Sequence, residues 1–222
     1  MESKLGHGVY SFSEAAQLTE LRIARVREWF RGHKRGDARK GVVFCGDYTP
    51  VGGDFAISFF DLVDVFVAGQ LREHGVSMQT VRKVFARLGA DLGTKHPFCR
   101  QELESDGREV FLRGIDDCGK DELVEVLTRQ RVFPEIILPF LKKIDYDRVR
   151  LLALRWRIAD QIVIDPSICF GKPVVIGTRI PTGVLAAAFN ANHRDFDLVA
   201  DWYGITPEQV RSAVQFENKL AA

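Results

Sequence analysis

Apolar positions recur at helical spacing in two short segments near the N-terminus. Either Ser11 or Ser13 can cap the first segment, with Glu14 favourably placed in its first turn, and a break near residues 19–21 separates it from the second. The second ends at Gly32, a residue type that commonly terminates helices. The inward positions are Ala15, Leu18, Leu21, Ile23, Val26, Trp29 and Phe30. Two short helices with a tight turn between them predict a helix-turn-helix.

The second of these helices has one apolar face and one basic face. Val26 and Trp29 lie three residues apart and should face the core, so that Arg25, Arg27 and Arg31 project outward. A recognition helix presents guanidinium groups to guanine edges and phosphates in this way. The alternative is a solvated basic helix that contacts no nucleic acid.

Further elements follow before residue 95. Short β-type runs at Gly41–Cys45 and Phe55–Phe59 flank a loop rich in glycine and aspartate, and together they predict a hairpin or wing. A helix is expected over Asp61–His74, and Ser77 caps another that ends before Gly89.

The rest of the chain alternates short strands and helices. In the middle, the patterns predict a hairpin over Glu102–Leu112, helices over Asp121–Gln130 and Pro134–Ile144, and a strand over Val149–Trp156. After residue 158 they predict strands at Ile162–Ile164 and Val174–Ile176, followed by helices at Pro181–Ala191, Asp195–Tyr203 and Thr206–Lys219. The fold class expected is mainly α with small β hairpins (α+β), ending in a three-helix domain that resembles a helix-turn-helix.

Composition excludes several classes of protein. The chain has 222 residues, 46% of them hydrophobic and 27% charged, as is usual for globular proteins of one or two domains. No apolar run reaches the roughly 18 residues that a membrane helix needs, and no signal peptide is evident, so we expect a cytoplasmic protein. The four cysteines form no C-x-x-C pair; we expect buried thiols, no metal and no cofactor.

Charge is distributed unevenly along the chain. Residues 20–40 carry eight basic side chains against three acidic ones, whereas residues 158–222 carry five against seven. The basic side chains are Arg22, Arg25, Arg27, Arg31, Lys34, Arg35, Arg39 and Lys40. A phosphate backbone would be attracted to the first stretch and repelled by the second. We therefore predict a DNA-binding role for these eight residues.

The N-terminal motifs resemble a known family of DNA-binding domains. The segments YSFSEAAQL and VREWFRG, within Tyr10–Asp91, are similar to the MerR-type winged helix-turn-helix. The resemblance implies a wing and two trailing helices. The sequence has neither the long coiled-coil helix nor the cysteine effector loop of that family, so we do not expect metal or drug sensing.

A second resemblance covers Gln161 to Leu220. The run DP…GKPVVIGTRIP…GITPEQV resembles the small VapB-type antitoxin domain, which is encoded beside PIN-like ribonuclease toxins; Pro181 stands where that family often has valine. The resemblance implies an antitoxin that neutralises such a toxin and represses its own operon as a homodimer. Lys172 and Arg179 are candidates to occlude the carboxylates of the toxin, or they shape a local turn.

We accordingly expect three parts: residues 1–95 as the DNA-binding domain, 96–157 as a connecting and dimerising region, and 158–222 as the antitoxin domain. One rival is a stand-alone transcription regulator that responds to a ligand, although no clear polar pocket is evident. Another is a nuclease, for which the acid pairs Asp116/Asp117 and Asp145/Asp147 were considered. Acids in turn-like contexts are usually solvated, so we expect no enzyme activity.

Overall fold

The computed structural model describes residues 7–35, 38–40, 42–51, 53–104 and 137–221, with the backbone alone given for residues 33–35 and 38–40. These residues form two compact units. The first unit is Tyr10–Ala153, and the second consists of residues 7–9 and 154–221. The architecture is mixed α and β, with helices and small antiparallel sheets. The division into three parts expected above stays a prediction.

The first unit begins with the two predicted short helices. Strand β1 (Tyr10–Ser11) leads into α1 (Phe12–Leu18), and α2 (Ile23–Arg31) follows a tight turn. Glu20 in that turn has a φ of 57°, in the left-handed region. Ala15 and Ala16 are buried, and such small side chains let two helices pack closely.

Next comes a two-stranded hairpin of β2 (His33–Arg35) and β3 (Ala38–Lys40). The prediction of a hairpin between Gly41–Cys45 and Phe55–Phe59 is therefore wrong. Strand β4 (Ala56–Ile57) pairs with β1 instead, and the N–H of Phe44 donates to the Trp29 carbonyl. The reason is packing, because Phe44 is a core aromatic residue whose ring lies 4.9 Å from that of Phe85, centroid to centroid.

Two longer helices complete the core of this unit. Helix α3 (Phe59–Glu73) is capped by Ser58, and α4 (Met78–Asp91) is capped by Ser77 as predicted. The expectation that α4 ends before Gly89 is wrong, since the helix runs two residues beyond it. The Gly89 carbonyl accepts the N–H of Thr94, so a carbonyl of the last helical turn finds its hydrogen-bond partner just after the helix ends.

The middle of the chain departs from the sequence patterns. The predicted helix Asp121–Gln130 and most of the predicted hairpin Glu102–Leu112 lie outside the described residues. Where the hairpin should begin, residues 102–104 are helical and not a strand, and Leu103 and Glu104 donate their N–H groups to carbonyls three residues earlier.

Two boundaries in the middle region also shift. Within the described residues, helix α5 covers only Leu138–Leu141, and Ile144 belongs to strand β5 (Ile144–Tyr146) and not to the predicted helix. The expected strand Val149–Trp156 starts late, as β6 (Ala153–Ala159), because Asp147 accepts the N–H groups of Val149 and Arg150 and holds them in a turn.

The second unit follows the predicted order closely. Strand β7 (Ile162–Ile164) pairs antiparallel with β6 on one side and β8 (Pro173–Val175) on the other. Three helices follow, α6 (Thr182–Ala191), α7 (Phe196–Tyr203) and α8 (Pro207–Ala221). Gly204 ends α7 in the left-handed conformation, as expected for a glycine in a tight interhelical turn. In the part of the chain that is described, no helix combines the length and apolar character needed to cross a membrane.

Candidate nucleic-acid interface

The start of α1 is fixed by a reciprocal cap. The Ser11 hydroxyl accepts the Glu14 N–H at 3.2 Å, and the Glu14 carboxylate accepts the Ser11 N–H at 2.8 Å. This capping box satisfies two N–H groups that a helix start otherwise leaves unpaired. The Leu21 N–H then donates to the Ala16 carbonyl across the turn, which ties the start of α2 to the end of α1.

Helix α2 has the two faces that its sequence predicts. Val26, Trp29 and Phe30 are buried, and the Phe44 ring lies 5.9 Å from that of Trp29 and 5.5 Å from that of Phe30. On the opposite side lies an open depression of about 450 Å³, lined by Ala24, Arg27, Glu28, Arg31 and Gly32. The buried face holds the helix rigidly, and the exposed face is available to a ligand.

The four predicted arginines of this region occupy different environments. Arg22, at the N-cap of α2, and Arg27 are exposed. Arg25 is partly buried, and its Nη1 atom lies 3.6 Å from a carboxylate oxygen of Glu73 on α3. The exposed Arg31 donates to the Gly53 carbonyl at 3.0 Å and lies over the Phe55 ring. Arg22 and Arg27 are thus the least engaged of the four within the described fold.

The other four predicted residues lie on the hairpin that follows α2 directly. The register of β2 and β3 places Lys34 opposite Arg39, Arg35 opposite Ala38 and His33 opposite Lys40. This antiparallel ribbon comes directly after Gly32, whose φ of 65° lets the chain turn sharply out of the helix. A helix with exposed arginines is thus followed directly by a ribbon that contains four more basic residues.

The first unit also contains a largely buried ionic cluster. The ring of His96 lies between two carboxylates, with Nδ1 2.8 Å from Asp64 and Nε2 3.1 Å from Asp47. Asp47 also accepts hydrogen bonds from the Ser58 hydroxyl and from the Lys95 ammonium. The cluster therefore connects the loop at residue 47, helix α3 and the segment before residue 97.

The charges in this cluster shift one another's proton affinities. Burial alone would lower the pKa of His96, but its hydrogen bonds with Asp47 and Asp64 outweigh that effect and raise the pKa to about 10. Burial raises the pKa of Asp64 to about 7, against the opposing influence of His96. For Asp47, burial is outweighed by hydrogen bonds from His96, Lys95 and Ser58, which hold its pKa well below the usual range.

The same cluster contains residue types that bind metal ions. Asp47, Asp61 and His96 offer ligand atoms within 4.8 Å of one another. However, one Asp61 oxygen already accepts the N–H groups of Ser58 and Asp47, and both His96 ring nitrogens are hydrogen-bonded to carboxylates. The Lys95 ammonium adds a positive charge 2.8 Å from Asp47. These side chains satisfy one another, so we interpret the cluster as structural.

Sequence reasoning missed this cluster. The signal available is a pair of acids, Asp61 and Asp64, at positions i and i+3 in the stretch 59–69 of α3, whose other residues are all apolar. Buried acids need partners. His96 lies more than thirty residues away, and only the fold brings it to Asp64.

In the second unit, Lys172 and Arg179 lie near one turn. Both are exposed, and the Cys169 thiol donates to the Arg179 carbonyl at 3.4 Å. Cys169 and Phe170 have φ values of 47° and 57°, so two non-glycine residues adopt the left-handed conformation just before Gly171. Of the thiols predicted to be buried, Cys99 is buried, Cys169 is half-buried and Cys45 is exposed, so the expectation is wrong for Cys45; Cys118 lies outside the described residues.

Comparison with known proteins identifies relatives along nearly the whole chain. Residues 162–216 match a family described as "Protein of unknown function (DUF433)". A Mycobacterium tuberculosis (strain ATCC 25618 / H37Rv) protein named "Putative antitoxin VapB45" is 26% identical over 230 residues, covering 96% of this chain and 95% of the relative. "Uncharacterized protein Rv2308" from the same strain is 22% identical over 231 residues, covering 98% and 93%.

A solved structure has a similar fold. The crystal structure of Rv2018 from Mycobacterium tuberculosis superposes with a TM-score of 0.73 at 26% sequence identity. The match covers 92% of this chain and 96% of that one. The similarity therefore extends over both compact units and is not confined to the C-terminal residues that match the family.

Proposed function

We propose that this protein is the antitoxin of a type II toxin–antitoxin pair, and that it both neutralises a PIN-like ribonuclease and binds its own operator as a homodimer. The observation that carries the DNA-binding part is the exposed basic face of α2 on a capped helix-turn-helix, followed directly by a basic ribbon. Similarity along the whole chain to a protein named "Putative antitoxin VapB45" supports the antitoxin part.

Helix α2 has dimensions suited to the major groove. An α-helix with its side chains is about 10–12 Å across, which fits a major groove about 12 Å wide, and the nine residues of α2 would extend roughly 13 Å along it. Arg22 and Arg27 face solvent, where a guanidinium can reach a guanine edge or a phosphate. A homodimer would place two such helices on half-sites about one helical turn apart, roughly 34 Å.

The toxin-binding part of the proposal assigns the other end of the chain to a protein partner. The second unit has more acidic than basic side chains after residue 158, which disfavours binding to a phosphate backbone. Lys172 and Arg179 remain candidates to approach the carboxylates of a PIN-like active site. No enzyme activity and no cofactor of the antitoxin itself are part of this proposal.

A co-expression experiment tests the proposal. The open reading frame adjacent to this gene is expressed in a bacterial host with and without the full-length chain. We expect growth arrest by the neighbour alone, recovery with the chain, and a stable complex of the two that binds their shared upstream DNA. A chain that neither restores growth nor binds that DNA at low ionic strength would contradict the proposal.

A further inference from the structure

Helix α7 in the second unit has an exposed apolar stripe. Leu198 and Trp202 lie one turn apart on the same side of the helix, 37% and 56% exposed. Single apolar side chains are common on protein surfaces, but tryptophan is enriched where proteins bind one another. Positions i and i+4 have the spacing with which a helix anchors its apolar side chains in a groove of a partner.

The orientation of the helix is fixed from its opposite side. Val199 and Ala200 are buried, and Phe196 stacks on Phe189 with 4.2 Å between ring centroids. The Arg211 guanidinium lies over the Phe196 ring, with 4.4 Å between its Cζ atom and the ring centroid. These contacts leave α7 little freedom to rotate, so the fold holds Leu198 and Trp202 outward before any partner arrives.

A row of acids runs beside the apolar stripe. Asp197 and Asp201 are both exposed and lie one turn apart, next to Leu198 and Trp202 respectively. Asp195 caps the helix start by accepting the N–H groups of Asp197 and Leu198, each at 3.0 Å. The solvent-facing side of α7 therefore has an apolar half and an acidic half.

We propose that this face, defined by Leu198 and Trp202 with Asp197 and Asp201, docks into an apolar groove on the toxin that is bordered by lysine or arginine. The inference rests on the proposed function, because it takes the toxin to be the partner. It deepens that function by assigning a docking surface distinct from Lys172 and Arg179. Lys172 and Arg179 suit the acidic active site of the toxin, whereas the α7 face requires a basic border elsewhere on the toxin.

Charge disfavours a nucleic acid and a second copy of the same face as occupants. A nucleic acid would place its phosphates beside Asp197 and Asp201, and like charges repel. A second copy of this chain using the same face would bring four aspartates into one contact. A protein groove with a basic border satisfies both halves of the face.

The test uses full-length chains co-expressed with the tagged product of the adjacent open reading frame. The double variant Leu198→Ala with Trp202→Ala should reduce the amount of chain retained by that product at least tenfold, since central aromatic anchors dominate such interfaces. Leu154→Ala with Val184→Ala is the matched control, because both apolar side chains are exposed in the same unit, 48% and 43%, and belong neither to α7 nor to the turn beside Lys172 and Arg179; their loss should leave retention unchanged. Circular dichroism and operator binding should be unaltered in both variants.

A second pair of variants tests the charge. Asp197→Asn with Asp201→Asn should weaken retention and make it less sensitive to salt, and replacement of both by lysine should abolish it. Tighter retention by the lysine variant would mean that the partner is not basic and would overturn the proposal.

The remaining outcomes separate this inference from the proposed function. If the wild-type chain is retained and the Leu198/Trp202 double variant is retained equally, the docking surface is wrong and the antitoxin function stands. If that double variant loses only self-association in light scattering, the occupant is a second copy and the inference is overturned. If the wild-type chain binds no co-encoded product, both proposals fail.

Discussion

The guanidinium of Arg31 lies over the ring of Phe55, with 4.4 Å between the Cζ atom and the ring centroid, and also donates to the Gly53 carbonyl. Arg27, one turn earlier on α2, is exposed, and no bonded partner of its guanidinium is found among the described residues. Arg31 therefore holds residues 53–55 against the end of α2, whereas Arg27 can bind an external anion at no cost to the fold.

This difference predicts that alanine substitutions of Arg31 and Arg27 affect different properties, the stability of the fold in the first case and DNA binding in the second. Arg31→Ala should destabilise the protein by about 1 kcal/mol, because it removes a cation–π contact and a hydrogen bond at an exposed site. The melting temperature should fall by about 3 °C. Arg27→Ala should leave the melting temperature unchanged and weaken operator binding. Equal melting temperatures for the two variants, measured by circular dichroism, would contradict the assignment.

A second prediction concerns Glu73, whose carboxylate lies 3.6 Å from Arg25. Both side chains are more than one third exposed, so the ion pair contributes little to stability. Glu73→Gln should leave the free energy of unfolding unchanged and raise operator affinity about threefold at low salt, because it removes a negative charge beside the basic face and releases Arg25.

Fluorescence anisotropy with labelled operator DNA would measure this effect. Glu208→Gln is a matched control, since Glu208 forms a comparable surface ion pair with Arg211 at 3.5 Å in the second unit. We expect no change in affinity for the control. An equal gain in both variants would show only a general effect of net charge.

A third prediction follows from the ionic cluster around His96. The pKa of His96 rises from its ordinary value of 6.5 to about 10 in the folded protein. The folded state therefore binds more protons than the unfolded state between these values, and its stability falls as the pH increases through that interval. Below pH 6.5 the contribution of His96 is fully present, and above pH 10 it is lost.

Urea unfolding at pH 6, 8 and 10 would measure the effect. One titrating group limits the decline in unfolding free energy to about 1.4 kcal/mol per pH unit. His96→Gln should be less stable than the wild type at pH 6 and should lack most of the decline. Asp47 and Asp64 are hydrogen-bonded to this ring, while Lys95 and Asp61 each contact Asp47, so Asp64→Asn should reduce the slope as well. A wild-type slope equal to that of His96→Gln would contradict the account.

The parts of the fold that the sequence predicts correctly depend on signals from residues close together in the chain. The first-turn position of Glu14, the inward side chains of Val26 and Trp29, and the turn at Gly204 are predicted correctly, because helix starts, helical periodicity and left-handed turns depend on neighbours within a few residues. The sequence allows either Ser11 or Ser13 as the cap, and the structure selects Ser11. The three C-terminal helices follow from the same signals. Resemblance to the VapB-type domain agrees with the name of one distant relative, "Putative antitoxin VapB45".

The failures share a different physical cause. Phe44 lies in a β-type run but serves as a core aromatic residue against Trp29 and Phe85, so packing at long range overrides its local pattern. For the basic segment after Gly32 the sequence pattern predicts only a positive charge and no strands, although the segment forms the hairpin. His96 and Asp64 meet only through the tertiary fold, and no local pattern indicates their contact.

The division of labour between the two ends of the chain is tested most directly by the salt dependence of operator binding. Full-length wild type is compared with Arg22→Ala/Arg27→Ala and with Lys172→Ala/Arg179→Ala, two pairs that each remove two exposed cations. We predict that the first pair lowers the slope of log affinity against log salt by about two, and that the second pair leaves the slope unchanged. An unchanged slope for the first pair together with a reduced slope for the second would contradict the account.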